Sequence, residues 1–207
     1  MITPKRRHEP VYLGEDDAPA KRTIMTTALH LFVRDGLCET SIRDIAAATG
    51  YTNPALFKHF DSKEHLVLHL FEHTYLDLFA MVERAVASDG DYLVRQRALI
   101  TGYLARLDAD RDAVLFVQDN LRLLWPRLPA SRRKASIVGL VGALLKQGRR
   151  EGLVTSESSI GLLVVGWLGI LQQFGRVWFF GEFSGSAASH ASHLERLLLR
   201  MTSREVR

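Results

Sequence analysis

The chain has 207 residues, of which 47% are hydrophobic, and a formal net charge of +4 at pH 7. That length and apolar content suffice for one small domain plus a larger one with its own core. The single cysteine, Cys38, excludes an internal disulfide and a multi-cysteine zinc site, which fits a reducing compartment.

No segment of the chain predicts export or membrane anchoring. The start, MITPKRRHEP, lacks the apolar run of a secretion signal. The longest apolar stretch, residues 160–171, is about half of the roughly 20 residues that a helix needs to span a bilayer. We therefore expect a soluble, cytoplasmic protein.

Residues 1–18 are rich in charge and proline and have no apolar periodicity, which predicts a disordered arm. Lys5, Arg6 and Arg7 make this arm basic. Such an arm either enters a DNA minor groove or is a solvated terminus, and the sequence leaves both alternatives open. Residues 1–64 contain as many acidic as basic side chains, so only the local placement of charge can favour a polyanion.

The first predicted helix spans about Pro19 to Asp35. Ile24, Ala28, Leu31 and Phe32 recur at the spacing of one helical face. The pattern stops at Gly36, and the helix is predicted to close a three-helix core with the two helices that follow.

Two short helical patterns follow, joined at Gly50. Ser41 and Asp44 have the spacing of a helix cap, and Ile42, Ile45 and Ala46 then repeat on one helical face. Gly50 is a typical helix end. This arrangement predicts the first helix of a helix-turn-helix.

The second helix of the pair begins at Thr52 or Asn53, either of which can accept from free backbone N–H groups, and tolerates Pro54 in its first turn. Leu56 and Phe60 share its inner face. Asn53, Lys58 and His59 are then left on the other faces, where a polyanion is accessible to them. The pattern therefore predicts a DNA-binding motif.

The segment resembles the N-terminal signature of the TetR family of transcriptional regulators. The resemblance runs over about 40 residues, from Ala28 through LF, Gly36, TSIRDIA, TG, NPALFKHF and DSKE at 61–64. It implies an all-α fold of about nine helices, with a three-helix DNA-binding domain at 19–63 and a helical effector-binding and dimerisation domain at 64–207. It also implies a homodimer on a palindromic operator, most often a repressor, with no enzymatic activity and no cofactor.

The resemblance assigns DNA contacts to the helix-turn-helix. Asn53 and Arg43 are the expected base readers, because asparagine pairs with adenine and arginine with guanine. Ser41, Lys58, His59 and Lys63 are expected to hold the DNA backbone. Phe57 stands where the family usually has a phosphate-binding tyrosine, and Pro54 and Ala55 replace the common glycine and threonine. The predicted DNA-binding set is Thr40, Ser41, Arg43, Thr52, Asn53, Pro54, Ala55, Phe57, Lys58, His59 and Lys63.

The remainder of the chain is predicted to be helical, with breaks where Gly, Pro and polar residues cluster. The expected helices lie near 62–88, 91–108, 111–125, 130–151, 156–181 and 187–203. Residues 160–180 are apolar nearly all round, so this segment must be covered on more than one side. The resemblance implies that the last two helices form a dimer bundle, with Leu194, Leu197, Leu198 and Met201 as the apolar face of the final helix.

The resemblance also implies a small-molecule effector, which the sequence does not identify. Aromatic side chains of the helical body suit an apolar or amphipathic ligand, although most of them are expected simply to pack. The polar run Gln118, Asp119 and Asn120 interrupts an apolar helix, so one of these residues either orients the ligand or faces water or the dimer partner. The predicted ligand set is Tyr75, Phe79, Tyr103, Phe116, Asn120, Trp125, Trp167 and Phe174.

Residues 127–150 contain seven basic side chains and no acidic one. This basic run either attracts an anionic ligand such as an acyl-coenzyme A or a fatty acid, or forms a solvated loop and helix face. His65, His69 and His73 recur every four residues, and His190 and His193 lie three apart. Without carboxylate or cysteine partners, these histidines are read as plain helix faces rather than as a metal site.

Two rival functions are weighed against a ligand-controlled regulator. A helical enzyme is disfavoured, because no phosphate loop, dinucleotide fingerprint, Glu-x-x-His repeat or nucleophile elbow occurs. Cys38 follows the first helix without an activating partner, which favours a buried apolar role. The second rival is a DNA-binding adaptor that has no effector.

Overall fold

The structure, a computed structural model, describes residues 10–134 and 136–203. Within these ranges the protein is all-helical, and no strand occurs. The all-α fold predicted from the sequence is confirmed. The α-helices are α1 (Pro19–Asp35), α2 (Ile42–Thr49), α3 (Asn53–Phe57), α4 (Lys63–Ala87), α5 (Tyr92–Leu124), α6 (Ile137–Arg150), α7 (Ile160–Phe179) and α8 (Ala191–Thr202). Short 3-10 helices cover Trp125–Arg127, Arg132–Lys134 and Ala187–His190.

The described residues form eight α-helices, because the two helices predicted near 91–108 and 111–125 are joined in one element, α5. Asp110 alone leaves helical geometry, with φ −155° and ψ 82°, inside α5. Helix continues on both sides of it, so α5 consists of two helical segments that meet at a kink. The break predicted between residues 108 and 111 therefore lies at Asp110.

The helix predicted from residue 130 begins only at Ile137. Pro126 and Pro129 lack the backbone N–H that a continuing helix needs, and the chain forms two 3-10 turns instead. Ser136 then caps α6, because its Oγ accepts from the Gly139 N–H at 3.1 Å. The start of α6 is thus fixed by a side-chain cap seven residues after the second proline.

The contacts divide the chain into two units, here called unit 1 (residues 1–77 and 112–133) and unit 2 (residues 78–111 and 134–207). Helices α4 and α5 each contribute residues to both units. The functional domain boundaries at 19–63 and 64–207 stay a prediction, because they rest on the resemblance.

Unit 1 has the predicted three-helix core. Ile24, Ala28 and Phe32 of α1 are at most 2% exposed, and Leu56 and Phe60 close the core from the second helix of the pair. The Phe32 ring stacks on Phe116 of α5, with ring centroids 5.8 Å apart. The short helices are therefore held by the longer helices of the same unit as well as by each other.

Unit 2 is built around α7. Trp167 of α7 and Tyr92 of α5 are fully buried. The Tyr103 hydroxyl of α5 donates to the Leu171 carbonyl of α7 at 3.1 Å. Arg149 ends α6 by donating to the carbonyls of Thr155 and Ser158, which ties the connection between α6 and α7 to the helix before it.

Helix α7 is apolar enough and long enough, by these two criteria alone, to cross a membrane, and a covered helix of a soluble protein meets the same criteria. The uninterrupted apolar stretch counted from the sequence, residues 160–171, is shorter than the helix. The helix continues beyond it through Gln172, Gln173 and Arg176 to Phe179. On its outer side, Leu162 and Val165 are 68% and 69% exposed.

The four apolar residues predicted for α8 share one helical face, because their spacing is i, i+3, i+4 and i+7. Leu194 and Leu198 are buried within unit 2, whereas Leu197 is 50% exposed and Met201 is half-buried. Unit 2 therefore leaves the part of this face around Leu197 uncovered, and the role of the face in a dimer stays a prediction.

Candidate nucleic-acid interface

Helix α2 is fixed at both ends by the residues that the sequence predicted. The Asp44 N–H donates to Ser41 Oγ at 3.2 Å, and the Ser41 N–H donates to Asp44 Oδ2 at 2.7 Å, which forms a reciprocal capping box. Hydrogen bonds from Ser41 hold the pKa of the Asp44 carboxyl below its ordinary value. Gly50 ends the helix with φ +72°, a conformation that glycine adopts without strain.

Helix α3 is short and begins at a capping threonine. Thr52 Oγ1 accepts from the Ala55 N–H at 3.4 Å, and Pro54 lies in the first turn, where its missing N–H is not needed. Leu56 is buried, and the turn after the helix brings Phe60 back to the same core. The inward face predicted for Leu56 and Phe60 is confirmed.

The outer side of this helix pair is polar and basic. Arg43 and Lys58 are exposed, and neither forms an ion pair within residues 10–134 and 136–203. Asn53 and His59 are half-buried. The remaining predicted contacts divide into the exposed Ser41, Thr52, Pro54 and Phe57 and the half-buried Ala55 and Lys63.

Thr40 differs from the other predicted contacts. Its side chain is only 2% exposed, and its hydroxyl donates to the Gly36 carbonyl at 2.9 Å, with the Leu31 carbonyl at 3.4 Å. The hydroxyl closes the turn after α1 and does not reach the surface. The sequence could not show this, because a threonine before a helix cap is also a common surface residue.

Two lysines lie over aromatic rings beside the helix pair. Lys63 Nζ is 6.0 Å from the Phe32 ring centroid, and Lys21 Nζ is 5.8 Å from that of Phe60. Lys21 is also paired with Asp17 at 2.7 Å. Since Lys63 makes no ion pair with a described residue, its charge stays available at the start of α4.

Residues 10–18, which the sequence assigned to a disordered arm, form turns in the structure, and Tyr12 among them is buried. His69 Nε2 of α4 lies 3.1 Å from the Tyr12 carbonyl, so this segment is tied to the body of unit 1. Burial lowers the pKa of the His69 imidazole. Lys5, Arg6 and Arg7 lie outside the described residues.

A surface cleft of about 370 Å³ lies in unit 1 beside the start of α4. Its walls are mostly apolar, and its lining consists of Leu37, Cys38, Lys63, Glu64, Val67, Leu123, Leu124 and Arg127. Arg127 pairs with Glu64 at 2.8 Å across the rim. The buried role predicted for Cys38 was wrong, because its side chain is exposed.

The aromatic and polar residues predicted to bind a ligand fall in both units. In unit 1 the rings of Tyr75 and Trp125 lie 4.8 Å apart, Phe116 stacks on Phe32, and Asn120 Nδ2 donates to the Phe116 carbonyl at 2.9 Å. In unit 2 lie Phe79, Tyr103, Trp167 and Phe174, of which only Phe79 is more than 9% exposed.

The sequence analysis missed Gln96 of α5. It is completely buried, and neither atom of its side-chain amide has a hydrogen-bond partner among the described residues. Trp167 Nε1 is likewise buried and has no hydrogen-bond partner among the described residues. A signal was present, because Gln96 lies on the same helical stripe as the apolar residues Tyr92, Leu99 and Tyr103.

The basic run is partly occupied by contacts within the protein. Arg127 pairs with Glu64, Arg132 pairs with Glu72 at 2.8 Å, and Arg149 donates to two backbone carbonyls. The run also crosses from unit 1 to unit 2 at residue 134. The other four basic side chains of the run are exposed and make no ion pair with a described residue, namely Arg133, Lys134, Lys146 and Arg150.

The histidines make contacts within the protein. His69 and His73 have ring centroids 4.1 Å apart, but His73 Nδ1 bonds to the His69 carbonyl and His69 Nε2 to that of Tyr12. His190 packs against Phe174 and Phe183. In the part of the chain that the structure describes, no group of three or more metal-ligating side chains occurs.

Comparisons with known proteins agree with this geometry. Residues 24–70 match the family described as "Bacterial regulatory proteins, tetR family". The chain is 37% identical over 101 residues to the transcriptional repressor KstR2 of Rhodococcus jostii, a match that covers 49% of this chain and half of that relative. It is 31% identical over 145 residues to KstR2 of Mycobacterium tuberculosis, which covers 68% of this chain and 72% of that relative.

The fold agrees as well. The structure of the "ketosteroid transcriptional regulator KstR2" of Mycobacterium tuberculosis matches 95% of this chain and 100% of its own length, with a TM-score of 0.80 and 21% identity. The chain belongs to the TetR family of bacterial transcriptional regulators. It is therefore a DNA-binding regulator and not an enzyme, as the sequence predicted.

Proposed function

We propose that this protein is a ligand-controlled repressor that binds a palindromic operator as a homodimer. The observation that carries the proposal is the outer side of the α2–α3 pair, where Arg43 and Lys58 are exposed and make no ion pair among the described residues. Asn53 is the first residue of α3 and stands between these two cations in the sequence, and its amide suits a base edge. The curated relatives named KstR2 are repressors, which supports repression.

The roles of the side chains follow from their chemistry and exposure. Asn53 and Arg43 are proposed to read base edges, whereas Ser41, Lys58, His59 and Lys63 bind phosphates. Thr52, Pro54, Ala55 and Phe57 supply the surface around them. Because the Ser41 hydroxyl already caps α2, its remaining donor is the group proposed to contact the backbone. Thr40 is left out, since its hydroxyl is buried.

The dimer is proposed to form through the outer faces of α7 and α8. Leu162, Val165 and Leu197 are at least 50% exposed, although each is a large apolar side chain. A second copy of the chain would cover them by two-fold symmetry. Two recognition helices then meet half-sites about 34 Å apart on the DNA, which requires a roughly palindromic operator.

The effector is proposed to be an apolar or amphipathic molecule that binds the helical body. The printed description of the similar KstR2 structure concerns ketosteroids, which are apolar ring systems. An acyl-coenzyme A or fatty acid is less well supported, because three of the seven cations in the basic run are used within the protein. The protein is proposed to be soluble and cytoplasmic, as its family is.

Selection of bound duplexes from a random DNA pool tests the DNA-binding proposal directly. We expect a two-fold symmetric motif, and recovery of no preferred sequence would contradict the proposed function. The recovered motif then allows anisotropy titrations of Asn53→Ala and Lys58→Ala against operator and scrambled duplexes. Asn53→Ala should lose affinity mainly for the operator, whereas Lys58→Ala should lose affinity for both and reduce the salt dependence.

A matched lysine distinguishes a local contact from a change in total charge. Lys146 is exposed on α6 in unit 2, and Lys146→Ala removes the same charge as Lys58→Ala. We expect Lys146→Ala to bind the operator as the wild type does. Equal losses for the two lysine variants would show that net charge, and not the helix pair, determines DNA binding.

A further inference from the structure

Two polar side chains in the interior of unit 2 lack hydrogen-bond partners. Gln96 on α5 and Trp167 on α7 are both completely buried. Neither Gln96 Oε1 and Nε2 nor Trp167 Nε1 is paired with any residue in 10–134 or 136–203. Since buried polar atoms are nearly always hydrogen-bonded in native proteins, an acceptor from outside the chain is a suitable partner for the two donors, Trp167 Nε1 and Gln96 Nε2.

The contacts between α5 and α7 indicate the register of the two residues. The Tyr103 hydroxyl bonds to Leu171, which is 68 residues further along the chain, and Leu107 lies against Gly175 with the same offset. Gln96 lies on the same stripe of α5, two turns before Tyr103, and the same offset carried over those turns pairs it with Val164. Trp167 is three residues after Val164, which is a rise of about 5 Å along a helix axis.

The chemistry of the two side chains limits what can bind them. Tryptophan Nε1–H only donates, and the glutamine amide both donates and accepts. The buried polar residues described in unit 2 are Gln96, Thr155 and Thr202, none of which is charged. The neighbouring cation Arg95 is only half-buried and its guanidinium already donates to Gln147, so a neutral acceptor is favoured over an ionised carboxylate at this depth.

We propose that Gln96 and Trp167 together bind a neutral carbonyl oxygen of the effector, such as the ketone of an apolar polycyclic molecule. This assignment rests on the proposed effector function and specifies its chemistry. The carbonyl accepts from Trp167 Nε1 and Gln96 Nε2, while the apolar body replaces side-chain packing around them. A fatty acid or acyl chain would instead have to keep its anionic group outside this interior.

Two methionines of unit 2 fill space beside glycines. Met81 Sδ lies 2.8 Å from the position that a Cβ on Gly102 would occupy, and Met201 Sδ has the same distance at Gly166. Because an unbranched thioether side chain repacks easily, α5 and α7 can adjust at these two positions when a ligand enters unit 2.

The stability of the ligand-free protein gives the first test. Gln96→Met removes the unpaired amide at similar volume, so we expect the melting temperature to rise by about 3 °C or more. Gln147→Met is the matched control, because Gln147 accepts from Arg95 and donates to Glu151. That variant should lower the melting temperature. A comparable decrease in both variants would show that Gln96 is already satisfied, which overturns the proposal.

Binding of a defined probe gives the second test. We expect androst-4-ene-3,17-dione to bind the full-length protein at least about tenfold more tightly than oxygen-free 5α-androstane. Gln96→Met and Trp167→Phe should each weaken dione binding about three- to tenfold. Trp178→Phe should leave it unchanged, because Trp178 Nε1 already donates to the Gly185 carbonyl. Equal affinity of wild type and both site variants, or no binding of the dione, overturns the proposal.

Fluorescence locates the bound carbonyl. The chain has three tryptophans, so the double variant Trp125→Phe/Trp178→Phe reports Trp167 alone. Its emission should move to longer wavelength with the dione and not with androstane.

If 5β-cholanic acid releases DNA while the dione does not bind, the effector function stands and this assignment falls. If the dione binds as described but leaves operator affinity unchanged, the assignment stands and the proposed regulation falls.

Discussion

The helix-turn-helix segment, residues 19–62, and unit 2 satisfy their polar groups in different ways. In the segment, each cap is made within three residues, as with Ser41 and Asp44 or Thr52 and Ala55. Unit 2 has such local caps as well, at Ser136 and Ser159, but it adds side-chain bonds between residues that are distant in sequence. Tyr103 bonds to a residue 68 positions away, and Arg97 pairs with Glu195, 98 positions away.

The two regions also differ in what they leave unsatisfied. The helix-turn-helix has no unpaired buried side-chain atom among its described residues, whereas unit 2 has them at Arg95, Gln96 and Trp167. Unit 2 also exposes Leu162 and Val165 on α7. The helix-turn-helix thus satisfies its own buried polar side chains, while unit 2 leaves an uncovered apolar face and unpaired polar atoms in its interior.

The largest expected effect comes from charging the exposed face of α7. The double variant Leu162→Glu/Val165→Glu places two like charges in each half of the proposed interface, where their desolvation is uncompensated. We expect sedimentation at micromolar concentration to show a monomer. Operator affinity should fall at least about 100-fold, because each monomer then binds one half-site without help from the other.

An exposed valine elsewhere in unit 2 controls for the charge. Val138 on α6 is 58% exposed, and Val138→Glu should leave both the dimer and operator affinity intact. If the α7 double variant is still a dimer, the interface lies elsewhere. The exposure of Leu162 and Val165 in unit 2 would then have another cause than dimer formation.

The next effect concerns the core of the helix pair. Leu56 is 2% exposed, so Leu56→Ala should lower the free energy of unfolding by about 2–5 kcal/mol in urea titrations. Its neighbour Phe57 is 48% exposed, and Phe57→Ala should change that free energy by no more than about 0.5 kcal/mol. Similar losses for both would mean that α3 does not pack as described.

The sequence predicted the helix-turn-helix well because its information is local. Ser41, Asp44, Gly50 and Pro54 act within their own turn, so spacing alone located both helices. Thr40 escaped prediction, since its inward hydroxyl depends on how the turn after α1 folds back on the Gly36 carbonyl. No local pattern distinguishes that orientation from an outward one.

The sequence was less informative about unit 2, because the structure there depends on contacts between residues that are distant in the chain. The sequence located the interruption at Asp110, but it did not show that the two segments of α5 stay joined at a kink. Gln96 was overlooked although it lies on the apolar stripe of Tyr92 and Tyr103, because a single polar side chain on such a stripe can also lie at its edge. The exposure of Leu197 beside the buried Leu198 likewise depends on which neighbour lies on each side of α8.

The capping box of α2 gives a smaller effect. Ser41→Ala and Asp44→Ala should each lower the free energy of unfolding by about 1 kcal/mol, because each leaves backbone N–H groups at the helix start without a partner. In a double-mutant cycle the two losses should not add, since either change breaks the same reciprocal pair. Ser156→Ala, at an exposed loop serine, is the control. Strictly additive losses would show that the two side chains act independently.

The smallest expected effect is the pH dependence of the contact between residues 10–18 and α4. Burial lowers the pKa of His69, whose imidazole lies 3.1 Å from the Tyr12 carbonyl and 4.1 Å, centroid to centroid, from the His73 ring. The hydrogen bond with the Tyr12 carbonyl opposes this lowering most, Asp17 opposes it less, and His73 and Lys21 add to it. The folded protein therefore favours the neutral imidazole more than the unfolded chain does.

The sign of the effect follows from proton binding. His69 contributes fully to the stability of the folded protein above about pH 6.5, the pKa of its imidazole in the unfolded chain. This stabilisation is lost as the pH falls through the lower pKa of the folded state, because the unfolded chain takes up the proton first. Between pH 7.5 and pH 5, the free energy of unfolding should fall further in wild type than in His69→Gln, by less than about 1 kcal/mol. The glutamine keeps a donor for the Tyr12 carbonyl. His193→Gln, an exposed histidine change on α8, should follow wild type. Parallel curves for wild type and His69→Gln in urea titrations at each pH would show that the contact of residues 10–18 with α4 does not depend on this imidazole.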